Sequence, residues 1–140
     1  MRRASVLTTL IGTFFLAMAL AAPMILRWQT EYTLGQMGAS QYVDLAVSAN
    51  LDRLAFDLLL TKVLSVAVLV SGVLMLRRIK QGLFLGLSAY AACFCVALYS
   101  FIVLGWAFVP LFKAAAWAYA FHYVLSAHRQ SGSNWWRQSI

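Results

Sequence analysis

With 140 residues, 63% of them hydrophobic and 11% charged, this chain is far more apolar than a soluble domain, which carries about 45–50% apolar and about 25% charged residues. A soluble fold of this size buries too little of its surface to hide so much apolar area, so the natural solvent is a lipid bilayer. The net charge of +7 does not indicate nucleic-acid binding, because the basic residues stand at the ends of apolar runs, where membrane topology accounts for them.

A membrane helix needs about 20 mainly apolar residues. Four stretches are predicted to supply one, over residues 5–26, 58–76, 82–104 and 109–127. The first, Ser5 to Leu26, holds no charge. Its flanking "MRR" and "ALAAP" also resemble a secretory signal with a small-residue cleavage site. Its apolar core exceeds the usual length of such a signal, which predicts a retained span.

Residues 27–57 are predicted to form the outer loop. The first half, "RWQTEYTLGQMG", is polar, with Gly35 and Gly38 as turn formers. In the second half Val43, Val47, Leu51, Leu54 and Leu58 share one helical stripe, while Asp44, Asp52 and Arg53 fall off it. That pattern predicts an amphipathic helix lying on the bilayer or over the end of the bundle, continuing into the second span. Arg53 and Asp57, four apart, are predicted partners.

The second span, Leu58 to Leu76, contains one charge, Lys62. After the basic "RRIKQG", the run from Leu83 to Phe112 is uncharged and too long for one upright crossing. Gly105, Trp106 and Pro110 mark a tight hairpin within it, since proline is best tolerated in a first helical turn and tryptophan favours the interface. On the third span Gly82, Gly86, Ala89, Cys93, Ala97 and Ser100 form a small-residue stripe, which predicts the close approach of another backbone, from this chain or a partner. Cys93 and Cys95 point apart on a helix and are predicted packing residues, not a redox dithiol.

On the fourth span Lys113, Trp117, Ala120 and Val124 lie on one side, and Ala115, Ala118, His122 and Ser126 on the other. His122 is the one histidine inside a span. At its depth Thr13, Ser71, Ser88 and Tyr90 also sit, so these five are the candidate ligand-binding residues, expected to face the bundle. The tail from 128 to 140 carries Trp135 and Trp136 between Arg129 and Arg137, as a headgroup anchor would.

Charge sorts by end. Arg2, Arg3, Arg77, Arg78, Lys80, Arg129 and Arg137 fall on one side of a four-span map, with no acid among them. Arg27, Arg53, Lys62 and Lys113 share the other with Glu31, Asp44, Asp52 and Asp57. The positive-inside rule then predicts cytoplasmic termini. Lys62 and Lys113 sit near the outer ends of their spans, where each can snorkel to water or pair with Asp57.

The expectation is an all-α, single-domain, four-transmembrane-helix bundle of the inner membrane. No mid-membrane carboxylate, catalytic triad, metal-ligand cluster or phosphate loop is present, so neither cofactor nor metal is expected. The expected partners are lipid and either other membrane subunits or further copies of the chain, in a non-catalytic accessory or assembly role. The alternatives are a small oligomeric transporter, lined by Thr13, Ser65, Ser71, Ser88, Ser100 and His122, and a redox component binding quinone near His122.

Overall fold

The computed structural model describes residues 1–104 and 108–136, and their regular structure is entirely helical. Four helices follow in order: α1 (Arg2–Gln36), α2 (Val43–Leu76), α3 (Lys80–Leu104) and α4 (Phe108–Ser131). Short 3-10 turns precede α2 at Ser40–Tyr42 and follow α4 at Gly132–Asn134. Three helices, α1, α2 with its leading turn, and α3, are long and apolar enough to cross a membrane. In α4, Lys113, His122, His128 and Arg129 dilute the apolar character. The expected hairpin residues Gly105 and Trp106, and the anchor residue Arg137, lie outside the described residues.

Each helix packs on the next in sequence, and α4 returns to touch α1. Two glycines bring α1 and α2 together. A Cβ on Gly12 would lie 2.7 Å from Leu69 Cα, and one on Gly72 would lie 2.8 Å from Thr9 Cα. At each contact the backbones approach because one helix presents a glycine to a residue of the other, which is how helices associate in lipid without a hydrophobic driving force. The stripe on α3 is used in the same way within this chain. A Cβ on Gly82 would lie 2.8 Å from Met75 N, and one on Gly86 would collide with the Ser71 hydroxyl. Ser71 Oγ in turn donates to the Gly82 carbonyl at 2.8 Å. Ala89, Cys93 and Ala97 continue the buried line, while Cys95 is exposed.

Residues 27–57 differ from the expected loop. The segment "RWQTEYTLGQ" is the last part of α1, and the amphipathic stretch is the first part of α2. Nothing before Gly38 breaks the helix: Arg27 Nε bonds Glu31 at 3.0 Å, and the Thr30 and Thr33 hydroxyls donate to the Leu26 and Gln29 carbonyls. Gly35 stays helical, and Gly38, at φ 70°, makes the turn. The predicted stripe is real, but its buried Val43 and Val47 pack in a hairpin with α1 rather than over the bundle's end. Arg27 also bonds Asp44 across that hairpin at 3.0 Å, whereas Arg53 and Asp57 form no ion pair.

Helix lengths decide the shape. At about 1.5 Å per residue, the 35 residues of α1 and 34 of α2 run about 50 Å, against about 36 Å for the 25 and 24 residues of α3 and α4. Contacts at the other end are level: the Met1 amino group donates to Ser131 Oγ at 3.1 Å. The α1–α2 hairpin therefore projects roughly 15–20 Å past the start of α4.

The α1 and α2 helices stop by the same device. Ala39 N–H bonds the Leu34 carbonyl and Gly38 N–H the Gly35 carbonyl; Ile79 N–H bonds Leu74 and Arg78 N–H bonds Met75. Both are Schellman-type ends with a left-handed residue at the turn. At the second that residue is Arg78, at φ 60°. Beyond α4 the tail folds back, with Trp135 Nε1 donating to His128 Nδ1 at 3.0 Å and the Lys80 ammonium 5.1 Å from the Trp136 ring centre.

Candidate functional site

An aromatic layer divides the bundle. Phe15 of α1 meets Trp117 of α4 with ring centres 4.5 Å apart, and Tyr90 of α3 lies 5.8 Å from Trp117. The Tyr90 hydroxyl donates to Thr8 Oγ1 at 3.0 Å, in a fully buried setting. Ala114, Trp117, Ala120 and Val124 form the buried face of α4, and Lys113 at its edge is exposed. Bulk and small residues together set that face: the indole fills the bundle centre and the alanines let α4 approach.

On the projecting side of this layer two cavities open. The larger, about 1150 Å³, lies between α1, α2 and α4 and is walled mainly by apolar side chains such as Met18, Ile25, Leu54 and Phe112. The smaller, about 250 Å³, lies toward α3, where Ser65, Cys93 and Ser100 line it. Phe15, Asp57, Thr61 and Lys113 belong to both walls. Among the described residues neither Asp57 nor Lys113 has an ion-pair partner, since the pairs formed are Arg27–Glu31 and Arg27–Asp44. A carboxylate and an ammonium thus face shared space without touching. The Thr61 and Ser65 hydroxyls donate to their own helix, at the Asp57 and Thr61 carbonyls, and keep acceptor lone pairs for a guest.

The five residues predicted as one ligand site are not brought together. Tyr90 and Ser71 are buried, and their hydroxyls are committed to Thr8 and Gly82. Thr13 is exposed and donates to the Thr9 carbonyl. Ser88 is exposed on α3. His122 is exposed rather than facing the bundle, and its imidazole sits 3.4 Å from Ser126 Oγ one turn away. The bulky Trp117 face took the interior, which turned the His122 face outward. Of the predicted outer group, Asp57 and Lys113 share the cavities, whereas half-buried Lys62 lies on neither wall.

Sequence reasoning placed Asp57 and Lys113 at one end but did not find the cavity between them. The missing signal was geometric: above Trp117 α4 buries Pro110 and Ala114 but leaves a gap toward α1 and α2. Among the described residues no three His, Cys, Asp or Glu are grouped to hold a metal. No family model, curated protein or solved structure matches the chain.

Proposed function

We propose that the chain is a small, non-catalytic, multi-pass protein of the inner membrane that serves as an accessory or assembly subunit, or assembles with further copies of itself. In this reading the four helices all cross, with the seven-charge basic end in the cytoplasm and the hairpin outside. A hydrocarbon slab of about 30 Å spans α3 and α4 and leaves the end of the hairpin in water.

The observation that carries the reading is what that hairpin displays. Tyr32, Met37, Tyr42 and Leu45 are exposed on it, and Trp28 stacks with Tyr32 at 6.4 Å near the rim. Apolar and aromatic side chains gathered on a stalk outside lipid mark a docking surface, and tyrosine and tryptophan are the usual anchors of such contacts. Apart from the cavity lining at Asp57, Thr61, Ser65 and Lys113, the polar groups inside the bundle are largely committed to helix packing, which leaves the hairpin as the exposed surface with unspent binding capacity.

Gentle extraction of the native protein is expected to yield a defined complex, with a second protein or a second copy in fixed ratio. Changing Tyr32 and Met37 to glutamate should remove that companion while the thermal midpoint stays unchanged. Loss of one anchor typically costs about 2 kcal/mol or more, roughly 30-fold in affinity. A solitary monomer, or a complex indifferent to these changes, overturns the proposal. Thiol-labelling of single cysteines at positions 32 and 81 tests the orientation, with the first accessible from outside and the second only after permeabilisation.

One observation favours the transporter reading. Ser65 and Ser100 line the smaller cavity beside Asp57 and Lys113. Flux in proteoliposomes that disappears in Ser65→Val and Ser100→Val would support it. Quinone binding at His122 has less to stand on, because His122 lies apart from Tyr90 and Ser71.

A further inference from the structure

We infer that the paired cavities form a binding site for one aminophospholipid, with its phosphate at Lys113, its ammonium at Asp57 and an acyl chain in the large groove. The groove follows α1 from Phe14 to Gln29, about 22 Å of helix. That matches one leaflet of hydrocarbon, about 15 Å, together with part of the headgroup region. Asp57 and Lys113 stand partway along the groove: Phe14, Phe15 and Ala115 line it toward the bundle centre, and Ile25, Leu26, Leu51 and Leu54 toward the hairpin.

Charge complementarity selects the head. Asp57 and Lys113 are opposite charges on shared walls and are not bonded to each other. A purely anionic head satisfies Lys113 but meets Asp57 with like charge. A zwitterion that carries phosphate and primary amine a few atoms apart satisfies both, and its N–H groups can also donate to the Thr61 and Ser65 oxygens. A quaternary amine matches the charge but has no proton to donate. The expected order is phosphatidylethanolamine, then phosphatidylcholine, then phosphatidylglycerol. This site stands independently of any partner on the hairpin.

The test is native mass spectrometry of the delipidated full chain, offered these three lipids in equal amounts with identical acyl chains. One bound phosphatidylethanolamine is expected, at several-fold excess over phosphatidylglycerol. Asp57→Asn should abolish that excess, Lys113→Gln should weaken all three lipids, and Ala22→Trp, which fills the groove without touching either charge, should prevent stable binding. Equal retention of the three lipids by the unaltered protein overturns the proposal, whether or not any variant folds. Selectivity that survives Asp57→Asn, or a groove that cross-links to a protein helix instead of lipid, overturns it as well.

Discussion

Gly72→Leu is expected to separate α1 from α2 and to cost about 3 kcal/mol, at the upper end for overpacking. The reason is what the new side chain meets. The added Cβ meets the Thr9 hydroxyl first and the Thr9 backbone directly behind it, with N at 2.6 Å and Cα at 2.8 Å, so turning the threonine side chain cannot make room. Relief requires that one helix slide or tilt away, which would also strip Gly12 from Leu69 on the same interface. Gly35→Ala is the matched control. It stands in the partner helix α1 with nothing within 4 Å, and should be neutral or stabilising by up to about 1 kcal/mol, as alanine is the better helix former. Thermal unfolding in detergent reads both; a midpoint for Gly72→Leu equal to that of the unaltered protein would show that the glycine crossing does not hold the pair together.

Trp117→Ala is the second large effect. The indole is buried where α1, α3 and α4 converge, against Phe15 and Tyr90. In a water-soluble core such a truncation costs about 3–5 kcal/mol. Here the unfolded reference includes lipid, which is as apolar as the core, so mainly lost packing remains and about 2 kcal/mol is expected. The change also removes the floor of the smaller cavity, whose wall includes buried Cys93. A Cys95→Ser background isolates that thiol, and its reaction with a small maleimide should accelerate in Trp117→Ala but not in Trp117→Phe. Unchanged labelling together with unchanged stability would mean that the aromatic layer is not the partition described.

The helical character of the chain was legible from apolar run lengths, because the bilayer leaves few other ways to satisfy a buried backbone. The glycine stripe on α3 was legible too, since small residues at four-residue spacing have few other uses in lipid. Its partner was not: only the structure places Gly82 and Gly86 on α2 of the same chain. The hairpin escaped notice because polarity was taken as the end of a helix. In "RWQTEYTLGQ" Arg27, Gln29, Glu31, Leu34 and Gln36 are good helix formers, and Arg27 finds Asp44 only once the chain has turned back. His122 was misplaced for a related reason. Its polarity argued for the interior, but the volume of Trp117 on the opposite face decided the rotation of α4.

The turn between α2 and α3 carries a tension of its own. Gly38 ends α1 at no steric cost, whereas Arg78 holds the same left-handed backbone, a conformation that costs an ordinary residue about 1–2 kcal/mol. A glycine there would relax the turn but, in the proposed orientation, remove one of the seven basic groups on the cytoplasmic side. In that orientation Arg78 trades local backbone comfort for a charge that helps set which way the chain enters the membrane.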